Sequence, residues 1–492
     1  MKNFGSKIKS FFVNFKKMET QTDVVGYLPN ERPSFGKAIV FALQQFLVML
    51  PATVLAAVIM GIYSIPAAIV ASGVATIVFL IVTKGKIPLY YGSSFSYIPA
   101  VAIIVTHASN IGATSHEVFG SVVIASVISG LMSIGAGLLL KAFGKKVIDA
   151  VLPGHVTGMI AAVIGLSLSI STVSGPGSLL HPISTADTNF LSVLVGMITF
   201  LAITIFTVVL KKGFISQIPI LLGIVVGIIA SYFIYVPSLG AGGYFNNISD
   251  YINNIGSGTV GLFDNMPHDT FPAAFNNGGL LATAILAILP IAFATIPESA
   301  AHVNQIDLYV NDLAKRKGLI IDFEIRNLLG VNLIGDGIGD IVAVMCAGPA
   351  GTNYGENVSA SAVTKNFSSV VFGITGLLAI AIGFILHAAG NIDISQLLTS
   401  PVIKGVSLYL FGAIAVQGIA LMIEKKIDVF NPRVIAVMAF IAIVGLGAPD
   451  GIVITDTIIL PGIGVAAFGG ILINALLLPL EKLVTRNKSK AV

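Results

Sequence analysis

Four carboxylates and one imidazole stand where a chain that is 55% apolar and only 10% charged has least room for them. Glu298 and His302 are four residues apart in Leu289-Pro-Ile-Ala-Phe-Ala-Thr-Ile-Pro-Glu-Ser-Ala-Ala-His302, so a helix stacks them on one face. A carboxylate over an imidazole can share a proton or hand one on. Glu356 lies in Pro349-Ala-Gly-Thr-Asn-Tyr-Gly-Glu-Asn-Val-Ser-Ala-Ser-Ala-Val-Thr-Lys365, a small polar stretch between the apolar runs 340–347 and 370–386. Asp336 and Asp340 repeat the i,i+4 spacing in Gly335-Asp-Gly-Ile-Gly-Asp340. An acid among apolar helices is costly to keep there, and such acids are as a rule functional. The structural alternatives stay open at this level. Glu298 and His302 are either a working pair or a hydrated helix end. Asp336 and Asp340 either serve a proton path, hold a neighbouring segment, or make a polar helix contact that the glycines allow.

The elements around these residues are read from hydropathy. Soluble domains carry about 25% charged residues. Here apolar runs of about 20 residues recur from end to end, the mark of a polytopic helical membrane protein. Spans are expected near 36–58, 64–83, 95–107, 118–141, 146–171, 189–210 and 214–236, then a polar loop over 237–277. A second set follows near 278–300, 327–347, 356–366, 368–389, 401–423, 433–448 and 456–480. Residues 1–35 read as a basic cytoplasmic arm, either solvated or lying on the membrane surface, and 481–492 as a cytoplasmic tail. Lysines and arginines cluster after the even-numbered spans, and of the 27 only Lys404 falls toward the other side. The positive-inside rule then puts both termini in the cytoplasm of a plasma-membrane protein.

Two spans are too short. The third follows Lys84-Gly-Lys-Ile-Pro-Leu-Tyr-Tyr-Gly-Ser-Ser, and the tenth follows Gly348-Pro-Ala-Gly-Thr-Asn-Tyr-Gly. Each pairs a short extended segment with a half-helix, at matching places in two sevens. Such a pair points to the binding site of an inverted-repeat transporter. The expected fold is therefore all-α and polytopic: fourteen transmembrane segments as two inverted sevens, with half-helices at spans three and ten behind short strands. A half-helix N-terminus offers unpaired amides and partial positive charge. Two such ends, with Glu298 and Glu356 as acceptors, suit a flat molecule with ring N–H donors and C=O acceptors. Phe95 and Tyr97 either stack on its face or pack against lipid and core. Gln44 and Gln45 in span one either face the substrate or join helices.

Other chemistries find no support. No Gly-Lys-Ser/Thr phosphate loop is present, and Gly335-Asp-Gly-Ile-Gly lacks the strand and spacing of a dinucleotide loop. The histidines have no metal-ligand spacing, and the single Cys346 gives neither an intramolecular disulfide nor a cysteine cluster. No nucleophile–base set suggests an enzyme. The net charge of +4 sorts by membrane side and does not suggest nucleic acid.

At these residues the chain resembles the nucleobase–ascorbate (nucleobase–cation symporter-2) family, and within it the bacterial uracil permeases. The family signature stands as Glu356-Asn-Val-Ser-Ala-Ser-Ala-Val-Thr-Lys365, with Ser359 where the family usually has Gly. Glu298-Ser-Ala-Ala-His302, Gly85-Lys-Ile-Pro, Gly92-Ser-Ser-Phe95 and Ala52-Thr-Val-Leu55 match further family segments, so the similarity covers roughly 36–480. The resemblance implies a core domain (36–141 and 278–389) moving against a gate domain (146–236 and 401–480), often in a homodimer. It implies proton symport of a nucleobase with no cofactor, sodium being the other ion to test. Carried over, Glu298 and Glu356 bond the ring and His302 supports Glu298 and the proton step. Phe95 packs on the ring, Ala52 lines the site, and the amides of Gly355 and Glu356 meet a ring carbonyl. Gln45, where uracil permeases tend to have His, and Asp336, which resembles an acid of purine-type members, leave xanthine or uric acid as the alternative substrate. A same-fold anion transporter or channel would want basic or neutral groups at the half-helix ends.

Overall fold

The computed structural model describes residues 26–144, 153–174, 186–210, 215–235, 266–320, 322–388, 398–448, 451–455 and 458–488. The first half runs through α1 (Phe35–Met60), α2 (Ile65–Val82), β1 (Tyr91–Ser93) and a 3-10 turn (Phe95–Tyr97) that leads into α3 (Ile98–Ile111). It continues with α4 (Ser115–Phe143), α5 (Gly154–Ser174), α6 (Ala186–Val209) and α7 (Pro219–Ala230). The second half has α8 (Pro267–Ala274), α9 (Gly278–Ile288), α10 (Ile291–Arg316), α11 (Leu329–Met345), β2 (Gly351–Asn353), α12 (Gly355–Thr364) and α13 (Ser369–Ala388). It ends with α14 (Ser400–Glu424), α15 (Pro432–Gly447), the strands β3 (Ile452–Thr455) and β4 (Ile458–Leu460), and α16 (Gly462–Lys488). Among the described residues nine helices are long and apolar enough to cross a membrane, and four shorter apolar ones cover Phe95–Ile111, Gly154–Ile170, Pro219–Tyr235 and Pro432–Gly447. The chain is an integral membrane protein.

Local chemistry sets the helix ends. Ser64 caps α2 by accepting from the Ala67 amide, with Pro66 in the first turn, where a missing N–H costs nothing. Thr114 and Glu117 form a reciprocal capping box on α4. Lys365 ends α12 in the left-handed conformation at φ 54°, which costs a non-glycine residue about 1–2 kcal/mol.

Apolar side chains give no preference for helix over lipid, so close backbone approach has to hold the helices together. Several crossings among the described residues use facing glycines, three of them reciprocally across a helix pair. Gly73 of α2 meets Gly376 of α13, Gly130 of α4 meets Gly337 of α11, and Gly158 of α5 meets Gly418 of α14. A Cβ on Gly337 would stand 2.2 Å from the Gly130 carbonyl oxygen.

Several boundaries differ from those expected. Span eight is two helices, broken at Leu289–Pro290, and α10 runs on to Arg316. Its extension is explained by a buried stripe at His302, Ile306, Val310 and Leu313 that keeps helical spacing. The loop 237–277 contains α8, whose Thr270 carbonyl lies against Gly120 of α4; residues 237–265 are outside the described ones. The last span starts at Gly462, because the β-branched run before it pairs as the β3–β4 hairpin, with Ile452 opposite Leu460. Of the N-terminal arm, residues 1–25 are outside the described ones, and 26–34 are bonded into the fold instead of lying free: the Tyr27 amide donates to the Lys365 carbonyl at 2.8 Å.

Replacing Gly337 with Val is expected to destabilise the α4–α11 crossing by about 1–3 kcal/mol, the usual cost of overpacking. Gly135→Val on the same helix pair, where a Cβ meets nothing within 4 Å, serves as the control. The melting temperature of the detergent-solubilised protein reads the difference. Equal melting of the two variants would remove the crossing from the account.

Candidate functional site

A strand crossing builds the site. β1 and β2 pair antiparallel with Tyr91 opposite Asn353, Gly92 opposite Thr352 and Ser93 opposite Gly351. The ladder continues on both sides, with the Ser94 amide donating to Ala350 and the Tyr354 amide to Tyr90, each at 3.0 Å. A half-helix follows each strand, so both helix N-termini open at the crossing. Two residues per strand leave edge groups that no bilayer can satisfy. Side chains do so instead: Thr76 Oγ1 both donates to the Tyr91 carbonyl and accepts from its amide at 3.0 Å. Tyr354 Oη donates to the Ser93 carbonyl at 2.9 Å. Gly92 is needed because its Cβ would sit 2.5 Å from the Tyr354 ring, and Gly351 because its Cβ would sit 2.4 Å from Tyr91.

Beside the crossing lies a cavity of about 500 Å³. Glu298 and His302 reach it from α10, Gly355 and Glu356 from α12, and Phe95 from the 3-10 turn. The facing wall comes from α14, including Tyr409 and Gln417, with Ala161 and Ile164 of α5. No lysine or arginine is among the described residues lining it. Tyr354, the residue before α12, gives it no side-chain cap; the Glu356 carboxylate accepts from its own backbone amide, so this first turn faces the cavity with a carboxylate a ligand would have to share. Gly355 also lets α10 approach: a Cβ there would lie 2.8 Å from His302 Nε2. His302 is buried, and its Nδ1 has no hydrogen-bond partner. Phe95 meets Phe411 of α14 edge to face, with ring centroids 6.1 Å apart.

Two residues expected at the substrate lie elsewhere. Tyr97 is not on the cavity; its hydroxyl is 3.3 Å from Ser129 Oγ and 3.5 Å from Asp340 Oδ2. A 3-10 turn has three residues per turn, so positions two apart point different ways, and Phe95 and Tyr97 diverge. Ala52 is buried in the core, and its neighbour Pro51, one step round α1, lines the cavity instead.

Asp336 and Asp340 also lie off the cavity, lining a separate void of about 10 Å³ with Tyr91 and Thr352. Asp340 Oδ1 accepts from the Gly351 amide at 2.7 Å and from Tyr91 Oη at 2.8 Å. Asp336 accepts from Asn332 Nδ2 at 2.7 Å and Asn353 Nδ2 at 3.0 Å. Both carboxylates thus brace the strand crossing. Gln45 is a helix-to-helix contact: it accepts from Asn357 Nδ2 at 2.7 Å and donates to Ser361 Oγ at 2.9 Å. Asn357 therefore pins α12 to α1. Sequence reasoning missed the α14 wall, because Tyr409 and Gln417 sit in no distinctive pattern; the lone Gln417 within an apolar helix was its one signal.

Comparison with known proteins agrees in fold and in sequence. The Permease family model Xan_ur_permease matches residues 36–454. The uracil permease of Bacillus subtilis (strain 168) is 30% identical over 449 residues, which is 90% of this chain and 92% of that protein. The uracil permease of Bacillus caldolyticus is 29% identical over 455 residues, 91% of this chain and 93% of that one. In structure, the transmembrane domain of the cyanobacterium bicarbonate transporter BicA aligns at TM-score 0.51 and 14% identity, covering 84% of this chain and 97% of that domain. The murine anion transporter Slc26a9, in its inward-facing state, aligns at TM-score 0.55 and 11% identity, covering 96% and 75%. These likenesses show a shared transporter fold.

Removing the Asp340 acceptor leaves the Gly351 amide and the Tyr91 hydroxyl buried without it. Asp340→Ala is expected to cost about 1–3 kcal/mol of stability. A thermal melt of the purified protein measures it, and an unchanged melting temperature would show that the brace is dispensable.

Proposed function

The chain belongs to this permease family, and on that premise we propose that it is a secondary active transporter that takes up a nucleobase, uracil first, together with a proton. The observation that carries the reading is the pairing of Glu298 and Glu356 with the uncapped start of α12 in one cavity. A pyrimidine dione offers ring N–H groups, which donate to the two carboxylates. It also offers carbonyls, which accept from the amides of Gly355 and Glu356. Phe95 lies at the rim to pack on the ring face. His302, beside Gly355 and with Nδ1 unpaired, supports the proton step at Glu298. Asp336 and Asp340 hold the crossing in this reading, and the coupling proton moves through Glu298 and His302.

Anion exchange on the same fold is the reading this site opposes. Three carboxylates, Glu298, Glu356 and Glu424, with no lysine or arginine among the described lining residues, disfavour an anionic substrate. Xanthine or uric acid is the alternative within the family, since a purine dione presents the same donor and acceptor edges.

Alternating access follows from how the parts pack. The reading takes spans 1–4 and 8–11 as core and spans 5–7 and 12–14 as gate, related as two inverted sevens. The packing supports this. Exchanging each span with its counterpart seven places along turns the α2–α13 glycine crossing into the α4–α11 crossing, and leaves the α5–α14 crossing on itself. The cavity extends past Gln305, Val363 and Glu424, toward the ends bearing Lys315, Lys365 and Lys425. Those ends are cytoplasmic by the positive-inside rule, so the state is inward-open. In this reading the outer route runs by the small void of about 30 Å³ between α3 and the start of α16. Placement in the plasma membrane with cytoplasmic termini, and a homodimer, complete the reading.

Glu298→Gln and Glu356→Gln each remove a charged acceptor, a loss of about 1.5–3 kcal/mol per hydrogen bond. Uracil affinity is expected to fall about tenfold or more in either variant. Uptake of labelled uracil by cells or proteoliposomes, with xanthine, uric acid, adenine and thymine as competitors, is the assay. Wild-type affinity in both variants would remove the site assignment, stronger competition by xanthine would move the substrate to a purine, and uptake that survives a protonophore would remove proton coupling.

A further inference from the structure

The segment ahead of α1 touches both helices that carry the cavity acids. On the α12 side, the Tyr27 amide donates to the Lys365 carbonyl at 2.8 Å, and the Phe367 amide donates to the Tyr27 carbonyl at 2.7 Å. The Ser369 amide donates to the Pro29 carbonyl at 3.2 Å, and Ser368 Oγ to the Glu31 carbonyl at 2.6 Å. On the α10 side, Lys317 Nζ donates to Glu31 Oε2 at 2.5 Å, directly past the end of that helix. The same carboxylate oxygen accepts from the Leu28 amide at 2.9 Å. The two charged side chains are only 4% and 11% exposed, so this is a largely desolvated ion pair. Gly26 threads between the two helices: a Cβ there would lie 2.9 Å from Leu313 Cδ1 of α10 and 2.9 Å from the Lys365 carbonyl.

We propose that residues 26–33 are a tether that fixes α10 against α12, and thereby the spacing of Glu298 and Glu356, with Glu31 and Lys317 as positioning residues. The inference rests on the reading that these two acids hold the substrate. Glu31 does not reach the substrate. Lys317 is 19 residues beyond Glu298 (317 − 298), about 28 Å along a helix. Lys365 is 9 residues beyond Glu356 (365 − 356), about 13 Å. The two helices meet near the cavity at His302 and Gly355, and the tether adds a second fixed point at their far ends. Two points define a relative orientation that one leaves free to pivot. The ten-residue α12 is pinned to α1 through Asn357 and Ser361, which fixes it against that helix; the tether fixes its far end against α10. Removing one charge strands its partner in a buried place, whereas exchanging the two keeps the pair.

The test uses the full-length protein in membranes. Glu31→Gln, Lys317→Met and the exchanged double variant Glu31→Lys/Lys317→Glu are compared for uracil uptake at matched membrane levels. Each single variant is expected to raise KM about fivefold or more with little change in kcat, and the exchanged pair to return within about twofold of the parent. A substrate-independent reading comes from spin labels on Leu308→Cys of α10 and Val363→Cys of α12, in a Cys346→Ser background. Their distance distribution is expected to broaden or shift in Glu31→Gln and to recover in the exchanged pair. Gly26→Val, which wedges α10 from Lys365 while leaving both charges in place, should broaden it too, and it stands in should a charge variant fail to accumulate. An unchanged distribution in Glu31→Gln or Gly26→Val overturns the tether, whatever uptake does. A parent protein that transports no uracil overturns the substrate reading alone, and the distance measurement then decides the tether.

Discussion

Everything near the cavity depends on a short antiparallel pairing of two strands placed where no water can serve their edges. An open strand in hydrocarbon strands its N–H and C=O groups. The chain meets this with neighbouring side chains: Thr76 closes on both polar groups of Tyr91, Tyr354 on Ser93, and Asp340 on the Gly351 amide. These bonds make the crossing rigid, and its rigidity aims the two helix starts. The acids behind the crossing and the acids in the cavity thus have different work. One pair holds the backbone; the other lines the cavity, where the proposed function gives it the solute.

Much of this is legible in the sequence, for physical reasons that differ by residue. Glu298, Glu356, Gly355 and Phe95 stand out because polar or glycine-rich breaks in apolar runs are few and costly. The half-helices and the strands ahead of them follow from the same breaks. Tyr97 and Ala52 are only one or two residues away from ones that do line the cavity, Phe95, Ser96 and Pro51, and hydropathy carries no angular information at that precision. Gln45 reads equally well as ligand or as joint, and its bonds to Asn357 and Ser361 settle it as a joint. The α14 wall is hidden because its shape comes from ordinary alanine, leucine and tyrosine positions. The β3–β4 hairpin is hidden because β-branched residues suit a membrane helix and a strand alike.

The helix crossings follow one economy. Glycine facing glycine lets carbonyl oxygens lie against the opposing backbone, as at Gly130 and Gly337. This gives tight packing without large side chains, so each helix pair behaves as a stiff board. Stiff boards suit a carrier whose two parts slide past each other, because motion then concentrates at the surface between them. In the proposed division into core and gate, Phe95 and Phe411 come one from each part, and their edge-to-face contact is one that such motion would break.

The uncapped start of α12 has an evolutionary consequence. The donors it presents belong to the main chain, so apart from proline no point substitution deletes them. The acceptors at Glu298 and Glu356 are side chains, and one nucleotide change can alter either. If the proposed site assignment holds, drift in what such a permease carries runs along the solute's hydrogen-donating edge, while the demand for a carbonyl on its other edge persists. The half of recognition written in backbone is inherited with the fold, and the half written in side chains is open to revision.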